Sequence, residues 1–133
     1  MTQAHIDGII ALLEAVPGLT VYDTEAETSP TFPYVVVAAP SLAQVSTTWD
    51  DEPRDVDDYV TITGAGTGPA QARWALDKAF GALDRKSPIV DGYSTRIHRA
   101  ATGPIGPDRD VTLTSTGRVI YGADTYRYRA TPA

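Results

Sequence analysis

The run Gly64-Ala65-Gly66-Thr67-Gly68 is the segment best placed to do chemistry, because it follows a strand-like stretch and opens a helix-like one. Backbone N–H groups and a helix dipole at such a junction hold phosphates in nucleotide-binding folds. The spacing argues against that use here. Pro69 stands where G-x-G-x-x-G needs its last glycine, and no Gly-Lys-Ser or Gly-Lys-Thr follows. The surrounding order also lacks the repeated strand-helix-strand units of a doubly wound fold. A flexible turn with a helix cap is the plainer reading.

Asp50, Asp51, Glu52, Asp55, Asp57 and Asp58 crowd a single acidic stretch. Carboxylates hold calcium, but these lack EF-hand spacing and a glycine at the turn. They read as a solvated loop, or as the partner of a basic edge on a neighbouring copy. His5 and His98 are the only histidines, so any histidine catalysis must use one of them. Neither lies in an H-E-x-x-H helix, and Gly92-Tyr93-Ser94-Thr95-Arg96 misses the final glycine of a nucleophile elbow. Surface or paired histidines are expected.

Trp74, at about 100° per residue, falls almost opposite the helical stripe of Ala72, Leu76, Ala79 and Leu83. Either its ring lies back along the domain surface or it anchors a partner. The last strand carries Arg118, Tyr121, Tyr126, Arg127, Tyr128 and Arg129. Alternating aromatic and arginine side chains suit an interface, although strand propensity alone accounts for the tyrosines.

These residues sit in a chain of 133 amino acids, a length that fits one domain over residues 1–133. Cysteine is absent, which removes disulfides, thiolate metal sites and cysteine nucleophiles, and suits a reducing cytoplasm. No apolar run approaches the ~20 residues that cross a bilayer, and no secretion signal opens the sequence. A soluble protein that is not exported by that route is expected. A net charge of −6 argues against general nucleic-acid binding. Up to Gly66 there are eleven acids and one base, Arg54; from Thr67 onward there are six acids and ten bases. Strand pairing within the chain could join the two halves, and so could a head-to-tail contact between copies.

Hydrophobic spacing supplies the scaffold. Ile6, Ile9, Ile10, Leu13 and Val16 predict a helix from about Thr2 to Val16, stopped by Pro17-Gly18. Short strands follow at Leu19–Asp23 and Tyr34–Ala39, then a long polar loop from Pro40 to Asp58. Tyr59–Thr63 alternates as a half-buried strand, and Pro69 to about Arg85 is the best helix. Strands at Tyr93–Arg99 and Val119–Arg129 close the chain, with turn-rich sequence from Thr102 to Asp110 and Val111–Thr114 of open type. Two helices cannot cover both sides of such a sheet. The expected fold is therefore α+β, with two helices on one face of a mainly antiparallel sheet of four to five strands, in the order α-β-β-β-α-β-β.

Over nearly its full length the chain resembles the tail-completion proteins of long-tailed bacteriophages, the tail terminators of siphophages from actinobacterial hosts. The likeness rests on Pro17-Gly18-Leu19-Thr20-Val21-Tyr22-Asp23 after a short helix, and on Ser29-Pro30-Thr31-Phe32-Pro33-Tyr34-Val35-Val36-Val37. It continues in Gln71-Ala72-Arg73-Trp74-Ala75-Leu76 and in the closing Tyr126-Arg127-Tyr128-Arg129. The resemblance implies a ring, usually of six copies, on the head-proximal end of the tail tube, in a virion assembled in the host cytoplasm. Its partners would be itself, the tail tube protein and the head-closure or connector protein, with DNA passing through the lumen without specific binding. It implies no catalytic residue, cofactor, metal or membrane. The interface candidates are Trp74, Asp50, Asp51, Asp57, Asp58, Arg118, Tyr126, Arg127, Tyr128 and Arg129. Other neck or minor tail proteins share this size and general fold. A small nucleotide-binding domain and a monomeric host-interaction module are the alternatives from other classes.

Overall fold

The computed structural model describes residues 3–40, 44–45, 55–113 and 117–133. The elements run α1 (Gln3–Glu14), β1 (Thr20–Asp23), β2 (Tyr34–Ala38), β3 (Gln44–Val45), β4 (Asp55–Gly66), α2 (Pro69–Leu83), β5 (Tyr93–Thr102), β6 (Gly106–Leu113) and β7 (Gly117–Pro132). All seven strands belong to one sheet, ordered β1-β2-β4-β7-β5, with β3 paired to β4 and β6 to β7. β3 meets β4 at Asp55 and Val56, beyond the residues that β2 occupies, so it prolongs the β2 lane. By the same logic β6 prolongs the β5 lane along β7. Among the described residues only β1 and β2 run parallel.

The α+β class, the two helices and the mainly antiparallel pairing are as expected; among the described residues the strands number seven, five of them on the path β1-β2-β4-β7-β5, where four to five were expected. Part of the expected acidic loop is strand, because β4 already begins at Asp55, where β7 offers continuous backbone partners from Ala130 onward. Residues 41–43 and 46–54 of that stretch lie outside the described residues. The turn-rich Thr102–Asp110 segment is interrupted by β6, which starts at Gly106 and carries Val111 to Leu113 as strand.

Alternation along the strands sorts the faces. Val35, Val37, Val56, Val60, Ile62, Ile97, Tyr126, Tyr128 and Ala130 point to one side and are buried there with Ile9 and Leu13 of α1 and Ala75, Ala79 and Leu83 of α2. α2 approaches the sheet closely because its buried face is largely alanine and the strands beneath it carry glycine. A Cβ on Gly64 would stand 2.7 Å from Leu76 Cγ, and one on Gly66 would stand 2.8 Å from the Ala72 backbone nitrogen. No other residue fits beneath the helix without pushing it off. Pro69 opens α2 at its first turn, and the Gln71 side-chain oxygen accepts a hydrogen bond from the Thr67 N–H at 2.7 Å. The glycine run is thus a packing seam.

His5 lies one helical turn before Ile9 and two before Leu13, so it points into the core and is 1% exposed. A 2.5 Å hydrogen bond joins its Nδ1 to the Tyr128 hydroxyl, and the Tyr93 ring meets it edge-on at 4.7 Å. Tyr126 is equally buried, yet its hydroxyl has no partner among the described residues. Removing a paired buried hydroxyl costs about 1–2 kcal/mol, whereas removing an unpaired one is near neutral. Urea unfolding should therefore show Tyr128→Phe destabilised by roughly that amount and Tyr126→Phe unchanged or stabilised; equal losses would contradict the assignment. Burial also lowers the His5 proton affinity below the ordinary value of 6.5. The unfolded chain then takes up a proton that the folded chain refuses, so this contribution to stability is full above that value and declines as the pH falls beneath it. Melting temperatures measured from pH 7 to 5 should fall, and His5→Gln should flatten the slope.

Candidate functional site

The sheet face away from the helices, together with its two lateral edges, holds the polar side chains that the core excludes. Cross-strand register sets their rows. Asp57 lies opposite Arg129, which lies opposite Arg96; Tyr59 lies opposite Arg127, which lies opposite His98. Further along, Thr61 meets Thr125 and Thr63 meets Ala123. Tyr22, Tyr34 and Phe32 form an aromatic group beside β2, with ring centroids 5.4 Å and 5.3 Å from Tyr34.

Asp57 is the electrostatic centre of this face. Arg127 donates to it in bidentate fashion, Nε to Oδ1 at 2.9 Å and Nη2 to Oδ2 at 2.8 Å, and Arg129 Nε stands 3.7 Å away. These guanidinium groups, Arg127 foremost, hold the Asp57 carboxyl below its ordinary value. The strand pairing has therefore neutralised part of the charge split within one chain.

A second polar cluster wraps the β5 edge. Arg99 lies over the Phe80 ring at 3.9 Å and reaches the buried Asp124 at 3.7 Å, while its backbone N–H donates to Asp84 Oδ1 at 2.8 Å. Burial raises the Asp124 carboxyl above its usual range, against the pull of Arg99. Arg85, Arg96 and His98 complete a groove of about 380 Å³ over Phe80, Asp84 and Arg99. Backbone bonds from Arg85 N–H to Ile97 O and from Ile97 N–H to Lys86 O close the strand edge itself. What this edge offers is side chains, and those are cationic.

Of the interface candidates, Tyr126 and Tyr128 require correction: both are fully buried beneath the helices, because the even-numbered positions of β7 from Gly122 to Ala130 face the core. Arg127 and Arg129 emerge on the opposite face with Asp57. Asp58 is half-buried on β4, and its Oδ1 accepts from the Tyr59 N–H at 2.8 Å. Arg118 lies in β7 opposite Thr112. Asp50 and Asp51 lie outside the described residues. Trp74 rests half-buried against the core over Gly18, with the Lys78 ammonium 5.8 Å from its ring centroid. Its free side borders an open, mainly apolar depression of about 520 Å³ with Gly18, Pro33, Ala70 and Gln71. The candidate surface is thus split between Trp74 on the helical side and the arginines on the open side. Sequence reasoning missed Arg96, Arg85 and the groove they border; the cluster of bases from Arg85 to Arg99 was the available signal.

Among the described residues, no group of three or more His, Asp or Glu side chains could hold a metal ion. His98 is half-buried at the groove and His5 is sealed in the core. The Asp57–Arg127 pair is about one third exposed on both sides, where solvent screening leaves an ion pair worth roughly 0–1 kcal/mol. Asp57→Asn should accordingly lower stability by no more than about 1 kcal/mol in denaturant unfolding. A larger loss would mean that the pair holds β4 and β7 together.

No family model and no curated protein matches this chain. Solved structures do share its fold. A chain in the virion of a native gene transfer agent particle superposes with a TM-score of 0.66, covering 92% of this chain and 90% of its own at 15% identity. Another covers 100% of this chain and 99% of its own with a TM-score of 0.56 at 14% identity. At these identities the likeness is one of fold, and it extends over the entire helix and sheet arrangement described above.

Proposed function

We propose that this chain is a structural virion protein, and more specifically a tail-terminator subunit that assembles into a ring on the head-proximal end of a phage tail tube. The observation that carries the reading is the fold shared over nine tenths of both chains with a component of a gene transfer agent virion. The tail-terminator resemblance of the sequence points the same way. In this reading the protein acts by binding and does no turnover. The ring stops tube polymerisation and offers its other surface to the head connector. DNA passes through the lumen without being held, since the acidic balance of the chain repels phosphates.

A ring of identical subunits needs a heterologous interface, one patch meeting a different patch on the next copy. Light scattering at rising concentration, alone and with purified tail tube protein, tests the reading. Self-association or capture on tube ends is expected, with tubes of uniform length by electron microscopy. Binding to connector protein but not to tubes would move the chain to another station in the neck. A monomer that ignores both would overturn the proposal.

A further inference from the structure

The two lateral edges of the sheet carry opposite charge. Residues 1–40, which supply α1, β1 and β2, contain five acids and no lysine or arginine. All five, Asp7, Glu14, Asp23, Glu25 and Glu27, are exposed. Gln3 ties two of them together, its Nε2 donating to Asp7 Oδ1 at 2.9 Å and to Asp23 Oδ2 at 3.4 Å. None of the five has an ion-pair partner among the described residues. On the far side, residues 85–99 hold four bases against one acid, Asp91.

Distance decides whether the two edges can neutralise each other within one subunit. Four interstrand steps separate β1 from β5, about 19 Å at ~4.8 Å per step. Charges in solution are screened over about 8 Å at physiological salt. The acids of β1 and of the loop after it are therefore independent of the β5 bases within a chain, whereas α1 reaches across to β5, its His5 ring 4.7 Å from Tyr93.

The basic edge is also internally frustrated. Arg96 and Arg129 stand directly opposite each other on neighbouring strands, an arrangement that repels. Asp57, opposite Arg129, is already engaged in bidentate fashion by Arg127, and Asp84, which lines the groove with Arg96, is held by Arg85 and the Arg99 N–H. Arg96 has no ion-pair partner among the described residues. Ile89, on the segment between α2 and β5, is 92% exposed, the most exposed large hydrophobic side chain described. An edge with an unpaired guanidinium group at Arg96, an 81% exposed one at Arg85 that stands 3.8 Å from Asp84, and a groove lined by both fits an acidic surface.

We infer that the acidic β1 edge of a second copy, carrying Asp23, Glu25 and Glu27, docks against the β5 edge and places carboxylates at Arg85 and Arg96. The contact is heterologous, so each subunit uses both edges and the arrangement propagates from copy to copy. This rests on the ring reading above and specifies which surfaces make the ring. Because main-chain groups of β5 are already bonded at Ile97, the contact is made by side chains and weakens with added salt.

Two charge-reversed variants test it. One carries Arg85→Glu and Arg96→Glu; the other carries Glu25→Lys and Glu27→Lys. All four positions are exposed, and circular dichroism with thermal melts checks that the folds are intact. Each variant alone should fail to self-associate, or need at least tenfold higher concentration, under conditions where the wild type assembles. An equimolar mixture should assemble again, because each acidic edge then finds a basic one on the other variant. Variants that assemble as the wild type does, or a mixture that stays dissociated, would overturn the edge assignment while leaving the ring reading intact. A wild type that stays monomeric alone and with tube protein would overturn both.

Discussion

β4 and β7 run antiparallel through eleven consecutive residue pairs, from Val56 opposite Ala130 to Gly66 opposite Ile120. The period of two along these strands commits every second residue to the core and every other one to the open face. Val60, Ile62, Tyr126 and Tyr128 are buried by that alternation, and Asp57, Tyr59, Arg127 and Arg129 are expelled by it. A slip of one residue would exchange the two sets, placing an aspartate and two arginines under the helices. The helices add their own constraint at the same ladder, because Gly64 and Gly122 leave only enough room for Leu76, and Gly66 for the first turn of α2.

The ladder also explains how charge is distributed. In the middle of the sheet it brings an acidic strand against a basic one, and Asp57 with Arg127 satisfies both. At the edges no strand remains to provide a partner. The β1 side keeps Asp23, Glu25 and Glu27 without an ion pair among the described residues, and the β5 side keeps Arg96 so, while Arg85 and Arg99 find Asp84 and Asp124. Folding thus consumes the central part of the charge split and leaves much of its outer part exposed.

Polar groups that might have suggested catalysis have structural uses. His5 is bonded to Tyr128 inside the core, Asp124 is buried against Arg99, and the glycine run accommodates a helix. Each is accounted for by packing or pairing within the subunit. The exposed charges lie on the open sheet face and along its edges.

Sequence alone determined the helices, the long strands, the α+β class and the polarity of the two halves, since periodicity and composition are local properties that each segment expresses by itself. It also marked Trp74 as unusual for its helix. Tertiary structure alone decided which face each β7 side chain takes, so Tyr126 and Tyr128 moved from expected interface to core while Arg127 and Arg129 stayed outside. It placed His5 in the core, though its spacing to Ile9 and Leu13 already carried that signal. It turned Asp57 from a loop acid into a strand acid by extending β4 along β7. Strand order is a global property, set by which hydrogen-bonding edges find each other. For that reason the acidic and basic edges, which no window of sequence contains together, became visible only once the sheet had closed in the order β1-β2-β4-β7-β5.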